Sequence, residues 1–451
     1  MEFKTTGKER LFFAMFMAGQ SLFNQLVNSF SQKFLTEAGI AAAVVGTIIL
    51  FVRVFDAVND PFFGGIVDRS SLKGGKFMPW LRISPYLMLI FGVALFAMPA
   101  SLPIDAKIAY AAAASVLFSM AYTICDVPVF SMISAVTDNI QERTHIISRN
   151  GIGGAIGLFA MSIAVPALYP RIGWGATAGA VCIAGMAIML PMGRAGKERF
   201  INKDTEKVTA GAMLRYLRRN KYLQMYFIGL FLLFSTATTQ QAIPFFADFN
   251  LGDVGAITTM TLAIAVPTLL FIIMIPILTK RFDKFQIFIT CILGQIIMSV
   301  VSFFAGYSNM PLFYALLVIR GLFIGGNAVM MLMFTPDFIE YGEFKTGKRL
   351  QGTANSIQTF ICKVMTAAAG AVIMFLMSAA GFISGTDSVQ SDGALNMIWF
   401  LVTLAPVIGC ALSLVIFSRY KLRDRDVQLM AKANSGEISK EEAEAAFSRK
   451  Y

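Results

Sequence analysis

"GRAGKERFINKDTEKVTAGAMLRYLRRNK", residues 193–221, is the one long hydrophilic interruption in a chain that is otherwise a succession of apolar stretches. On either side of it, apolar runs of about twenty residues or more recur, each long enough to cross a hydrocarbon core roughly 30 Å thick. About twelve can be counted, at 11–36, 41–67, 79–100, 106–137, 146–169, 172–193, 222–248, 254–279, 285–306, 310–340, 350–381 and 393–419. The interruption thus divides an all-α integral membrane protein into two six-helix halves, 1–193 and 222–420, with a linker at 194–221 and a soluble tail at 421–451.

Composition agrees with this reading. Of 451 residues, 56% are hydrophobic and 14% charged, with 41 Phe and 26 Met. A soluble protein of this length could not hide so much apolar surface, so lipid is the expected solvent. The first apolar stretch follows "KTTGKER" without a small-residue cleavage site and is read as a first span, not a signal peptide.

Lys and Arg concentrate on alternate connections: Lys4, Lys8 and Arg10; Arg69, Lys73 and Lys76; Arg143; the long linker; Lys280, Arg281 and Lys284; Lys345, Lys348 and Arg349. The opposite connections, near 38, 103, 171, 250, 308 and 388, are nearly free of them. By the positive-inside rule both termini are expected to be cytoplasmic, which requires an even number of spans. Topology also accounts for the net charge of +11, so nucleic acid is not needed as a partner. The five cysteines fall within spans with no C-x-x-C spacing and are read as small buried residues.

The halves echo each other. "ISAVTDNIQERTHIISRNG" follows the fourth span and "MFTPDFIEYGEFKTGKRLQG" the tenth, which gives Asp138 and Asp337 matching places at a span's cytoplasmic end. Such weak internal symmetry is a signature of transporters built from repeats. In the tail, "SKEE" (Ser439 to Glu442) reads as a capping box opening a short surface helix.

Charges inside spans point to function. "FVRVFDAVNDP", residues 51–61, carries Arg53, Asp56 and Asp60. A charge at a span's centre costs about 2.5–3.5 kcal/mol, so these three must face protein or water. At 100° per residue they fall within about 60° of one another and form one polar stripe. In "SMAYTICDVPVF", Ser119, Thr123, Asp126 and Phe130 follow a spacing of four, three and four, again one face. Hydroxyls and carboxylates on two facing helices supply the oxygen ligands that a hard monovalent cation prefers. Two further cations, Arg149 and Lys363, lie within the fifth and eleventh spans, and Ser356 and Thr359 share the stripe of Lys363. The alternative is that these are structural ion pairs, but ionisable residues within spans usually mark transport pathways.

Other motifs are weaker. "GIGGAIG" (Gly151 to Gly157) imitates a dinucleotide loop but follows no strand, so close helix packing is the better reading. His145, the sole histidine, sits in a connection, which leaves any proton coupling to carboxylates. The basic "LRYLRRNKYLQ" is expected to lie on the anionic inner leaflet.

The stretches "RVFDAVNDPFFGGIVDRS…GGKFMPW", "YTICDVPVFSMISAVTDNIQER", "TPDFIEYGEFKTGKR" and "NSIQTFICK" together resemble the melibiose permease-like family of glycoside-pentoside-hexuronide:cation symporters, within the major facilitator superfamily. The resemblance covers nearly the whole chain and implies a major facilitator fold of two pseudo-symmetric halves. It also implies symport of a sugar, glycoside or hexuronide by alternating access in a bacterial-type inner membrane. Asp56 and Asp60, with Thr123 and Ser119, resemble the family's cation site, and they are metal ligands only if the coupling ion is sodium and not a proton. Arg53 is the ion-pair partner on the same helix. Asp126, Phe130, Arg149, Gln358, Thr359 and Lys363 resemble sugar-site positions, Phe130 standing where the family has a stacking tryptophan. Asp138, Arg143, Asp337, Glu343 and Arg349 resemble the cytoplasmic charge pairs that latch the halves.

One departure concerns the first span, where the family has an acidic residue after a Gly-Lys pair and this chain has Gly19, Gln20 and Ser21. Ser21 takes the substrate-site position, and the missing carboxylate suggests a substrate other than a neutral galactoside, such as a glucuronide or hexuronate. No cofactor beyond the coupling ion is expected, and a monomer suffices because the pathway runs between two halves of one chain. The competing reading is a major facilitator transporter of a non-sugar or amphipathic solute. A sensor or a membrane enzyme is disfavoured because no nucleophile–base pair, metal cluster or output domain is visible.

Overall fold

The computed structural model describes residues 4–70, 72–137, 139–200, 220–233, 235–347, 351–385 and 388–449. Its elements are helices: α1 (Gly7–Glu37), α2 (Ala42–Arg69), α3 (Met78–Phe96), α4 (Ile104–Val136), α5 (Ile140–Ala195), α6 (Lys221–Leu233), α7 (Thr236–Phe245), α8 (Ala256–Leu278), α9 (Lys284–Ala305), α10 (Met310–Thr346), α11 (Gln351–Ala379), α12 (Asp392–Thr403), α13 (Ala405–Phe417), α14 (Asp424–Asn434) and α15 (Lys440–Ala446). Among the described residues, 10 helical stretches are long and apolar enough to cross a membrane. One of them, His145–Arg194, is 50 residues long and bends at Gly173, whose φ of 78 is non-helical, so it supplies two spans. α1 is not among the 10, because Gln20, Asn24, Gln25 and Asn28 dilute its apolar character. Counting both brings the total to the expected twelve.

The chain clusters into two compact units. Unit 1 comprises Met1–Thr205, Ala247–Thr258 and Gly370–Leu395; unit 2 comprises Glu206–Phe246, Thr259–Ala369 and Asn396–Tyr451.

In unit 1, α1 packs chiefly on α5, α3 on α4 and α5, and α2 on α4. Lipid offers no hydrophobic drive between helices, so close approach depends on small residues. The α1–α5 seam illustrates this: a Cβ on Gly153 would lie 2.1 Å from the Ala14 carbonyl oxygen, and one on Gly157 would lie 2.5 Å from that of Ala18. "GIGGAIG" is therefore a packing motif. At one end of the unit, Thr6 and Glu9 form a capping box that opens α1. Beside it the buried Glu142 accepts from Thr137 Oγ1 (2.5 Å), from the Thr5 backbone N–H (2.7 Å) and from the Thr5 hydroxyl. Glu198 closes the same end by accepting from the backbone N–H groups of Lys76, Phe77 and Met78, each at 2.8 Å, at the start of α3.

Unit 2 has an aromatic core. Phe288 meets Phe417 edge-on with ring centroids 4.8 Å apart, and Tyr226 packs on Phe338 at 4.5 Å. Each such pair contributes roughly 0.5–1.5 kcal/mol beyond the area it buries. The apolar stretch at 393–419 is two helices, α12 and α13, because Pro406 has no N–H to give the Val402 carbonyl. Thr239 Oγ1 (3.0 Å) and Arg320 Nη2 (2.9 Å) donate to that carbonyl instead.

The tail is docked and not free in solvent. Val427 and Met430 of α14 and Ala443 of α15 belong to the same buried cluster as Phe338 and Phe344. The capping box at Ser439 and Glu442 is present. One expectation needs correction: Cys125, Cys182, Cys291 and Cys410 are buried, but Cys362 is exposed, because its position on α11 points away from that helix's packed face.

Candidate functional site

In unit 1 a set of polar contacts links α1, α2 and α4. From α1, Gln20 Nε2 donates to Asp126 Oδ1 at 2.8 Å, and Asn24 Nδ2 donates to the Tyr122 hydroxyl at 2.7 Å. Asn28 donates to Asn24 and accepts from the Arg53 guanidinium. On α2, Arg53 Nη1 meets Asp56 Oδ2 at 3.3 Å, one helical turn away. From α4, the Ser119 hydroxyl donates to Asp56, and Thr123 Oγ1 donates to Asp60 Oδ1 at 2.8 Å.

Helix geometry explains the meeting. The spacing of four between Gln20, Asn24 and Asn28, and between Asp56 and Asp60, keeps each set on one face. Ser119, Thr123 and Asp126 likewise share one face of α4. Ser119 and Thr123 are buried, 7% and 3% exposed, and Asp56 and Asp60 are half-buried. Each hydroxyl keeps lone pairs while donating its proton, so four side chains present oxygens to a small cation. Arg53 already neutralises part of this charge, and an arriving cation competes with it for Asp56.

The sequence singled out Arg53, Asp56, Asp60, Ser119, Thr123 and Asp126, and the structure gives all six hydrogen bonds or ion pairs among α1, α2 and α4. It did not single out Asn24, Asn28 or Tyr122, and it noted Gln20 only as a departure from the family. Their signal was a polar stripe in an apolar helix. Ser21, expected at the substrate position, donates to the Gly154 carbonyl at 2.8 Å and belongs to the α1–α5 seam. Phe130 is 56% exposed on α4. Arg149 is exposed on α5, with no ion pair among the described residues.

The remaining candidates lie in unit 2 or at the helix ends. Gln358 is buried, accepting from Thr335 Oγ1 at 2.6 Å. Lys363 is half-buried on the same helix, and the side chain of Thr359 lies outside the described residues. Asp337 is ion-paired to Lys284 at 2.7 Å, and Lys284 also reaches Asp424 at the start of α14 at 3.2 Å. Arg143 Nε donates to the Thr137 carbonyl at 2.8 Å, and Glu343 gives its carbonyl to the Gly347 N–H that ends α10. Asp138 and Arg349 lie outside the described residues.

Residues 12–424 match the family model described as MFS/sugar transport protein. The chain belongs to that family. Among relatives of this MFS/sugar transport protein, a glucuronide carrier protein homolog of Escherichia coli (strain K12) is 26% identical over 86% of each chain. An isoprimeverose transporter of Lactiplantibacillus pentosus is 25% identical over 90% of this chain and 87% of that one. An uncharacterized symporter of Bacillus subtilis (strain 168) is 28% identical over 93% of each. The fold is shared with the nucleoside transporter NupG, at a TM-score of 0.66 and 14% identity over 92% of this chain and 100% of that one. A bacterial homolog of the human lysosomal transporter Spinster, solved inward-facing and unoccupied, gives a TM-score of 0.68 at 12% identity over 92% and 96%. The molecule is a multi-pass membrane transporter of the major facilitator fold.

Proposed function

We propose that the protein is a secondary active transporter that couples entry of a sugar, glycoside or hexuronide to a sodium ion or proton. The observation that carries this reading is the pairing of Asp56 with Ser119 and of Asp60 with Thr123, two carboxylate–hydroxyl pairs one turn apart in an apolar unit. The cation occupies these four side chains, and Asp126, held by Gln20, receives hydroxyls of the solute beside it. Cation and solute raise each other's affinity, a coupling that is reciprocal by thermodynamic necessity. Rocking of the two halves then carries both across, with Asp138, Arg143, Asp337, Glu343 and Arg349 as closing charges on the cytoplasmic side.

An anionic solute fits best. Ser21 is neutral where the family pattern has an acid, and Arg149 is an exposed cation with no ion pair among the described residues. Phe130, Gln358, Thr359 and Lys363 complete the solute's surroundings in this reading. Both termini are cytoplasmic, the membrane is the bacterial cytoplasmic membrane, and a monomer without a cofactor performs the cycle.

Purified protein in proteoliposomes tests the reading. Glucuronides or hexuronates are expected to drive alkalinisation or sodium entry that Asp60→Asn abolishes. Silence with every sugar and uronate, from protein shown to be folded, would transfer the weight to a non-sugar solute.

A further inference from the structure

At the end of unit 1 remote from its N-terminus, a pocket of about 490 Å³ opens between the end of α1, the turn at 98–100, the start of α4 and the bend of α5. Its polar walls are Glu37, Lys107, Tyr169 and Trp174. The carboxylate of Glu37 is fixed from two sides, by Lys33 Nζ at 2.9 Å and by Trp174 Nε1 at 2.6 Å. Lys33 also pairs with Asp248, so two carboxylates share one buried ammonium. Lys107 supplies the opposite charge. Its Nζ donates to the Ala38 carbonyl at 3.0 Å, beside Glu37, and no carboxylate lies within 4.0 Å of it among the described residues. An anchored acid and an unpaired ammonium therefore face one cavity, a pattern that fits a zwitterion.

Depth identifies the zwitterion's source. The apolar spans Met78–Phe96 and Ile104–Ile133 end and begin on either side of the turn that lines the pocket. The pocket thus sits where helices leave the hydrocarbon layer, the level of lipid headgroups, where Trp and Tyr also concentrate. Ile104 and Ile172, 47% and 50% exposed, flank it with apolar surface on which acyl chains can lie. A sugar is a poorer occupant. The Trp174 indole is already stacked on Tyr169, with centroids 4.1 Å apart, and on Phe96 at 5.9 Å, so the ring face a pyranose would use is taken.

We infer that this pocket binds the phosphoethanolamine headgroup of a membrane phospholipid, its phosphate on Lys107 and its ammonium beside Glu37. The distribution of Lys and Arg puts this end away from the basic connections, so the lipid belongs to the outer leaflet.

Native mass spectrometry of the full chain, released from detergent carrying dioleoylphosphatidylethanolamine, dioleoylphosphatidylcholine or dioleoylphosphatidylglycerol, tests this. Wild type is expected to retain the ethanolamine lipid in preference to the other two. Lys107→Ala is expected to retain about tenfold less of it, and Lys107→Arg to restore retention. Glu37→Gln is expected to erase the preference over phosphatidylglycerol; if it disturbs folding through Lys33, the Lys107 pair of variants carries the test. Equal retention by Lys107→Ala, or phosphatidylglycerol held as tightly as the ethanolamine lipid by wild type, would overturn the inference. So would protection of Lys107 from acetylation by glycosides but not by lipid, which would make the pocket a vestibule for the transported solute.

Discussion

The two units bury polar groups of different kinds. In unit 1 the polar contacts among α1, α2 and α4 include two carboxylates of α2 and a guanidinium, each met by a hydroxyl or an amide. In unit 2, apart from the Asp337–Lys284 ion pair, buried side chains form neutral pairs: Asn327 donates to Gln295 at 2.7 Å, and Thr335 donates to Gln358 at 2.6 Å. Its Arg320 is fully buried and donates to Thr239 Oγ1 and the Val402 carbonyl, not to an acid. Sequence echoes between the halves thus preserve helix ends and turns while the interior chemistry diverges. A cation finds carboxylate ligands in unit 1, whereas the interior of unit 2 offers dipoles.

The sharpest way to break this contrast is Asp60→Asn. It is expected to cut cation-driven accumulation roughly 100-fold, the loss of one charge-assisted interaction, while solute counterflow in proteoliposomes survives. Accumulation that persists would put the ion elsewhere.

Acid should affect unit 1 next. Burial alone would raise the Glu142 carboxyl, yet the Thr137 and Thr5 hydroxyls and the backbone N–H groups of Thr5 and Lys4 hold it at about 2, against an ordinary 4.5. Because the folded value is depressed, its contribution is complete above about pH 4.5 and is lost as pH falls toward 2. Protection of residues 4–10 from hydrogen exchange, relative to the intrinsic rate at each pH, is expected to fall across that window, and Glu142→Gln to show low protection already at neutral pH.

The neutral interior of unit 2 gives a graded outcome. Asn327→Leu leaves the Gln295 carboxamide buried without a partner and should cost about 1–3 kcal/mol, whereas the double change with Gln295→Leu should recover most of it. Thermal unfolding in detergent measures both, with transport retained. The smallest effect is expected of Ser21→Ala, about 0.5–1.5 kcal/mol of stability and no change in solute preference, because its hydroxyl serves the α1–α5 seam. A changed preference would return Ser21 to the solute site.

Much of the fold was legible because hydropathy registers directly in residue order: the bend at Gly173 falls at the start of the expected sixth span, one residue past its first position. Asp56, Asp60, Ser119 and Thr123 were legible because charge in a span is costly and one helix face can be read from spacing. Gln20, Asn24 and Asn28 were not, since uncharged amides carry little cost by themselves and their partners lie on α2 and α4, distant in sequence. The break between α12 and α13 depends on which side chains reach the Val402 carbonyl, and spacing does not carry that information. The docked tail was missed for a related reason. Its apolar residues are few, and only their contact with Phe338 and Phe344 gives them a partner.

The glycines of "GIGGAIG" also differ in how freely they can drift. Gly151 and Gly154 have nothing within 4 Å of an added Cβ, whereas Gly153 and Gly157 meet backbone oxygens of α1 at 2.1 and 2.5 Å. A library randomised at all four positions should return wide variety at the first two and an almost monotonous glycine at the others. Two residues of one short motif would then set the boundary of permissible sequence for the whole α1–α5 seam.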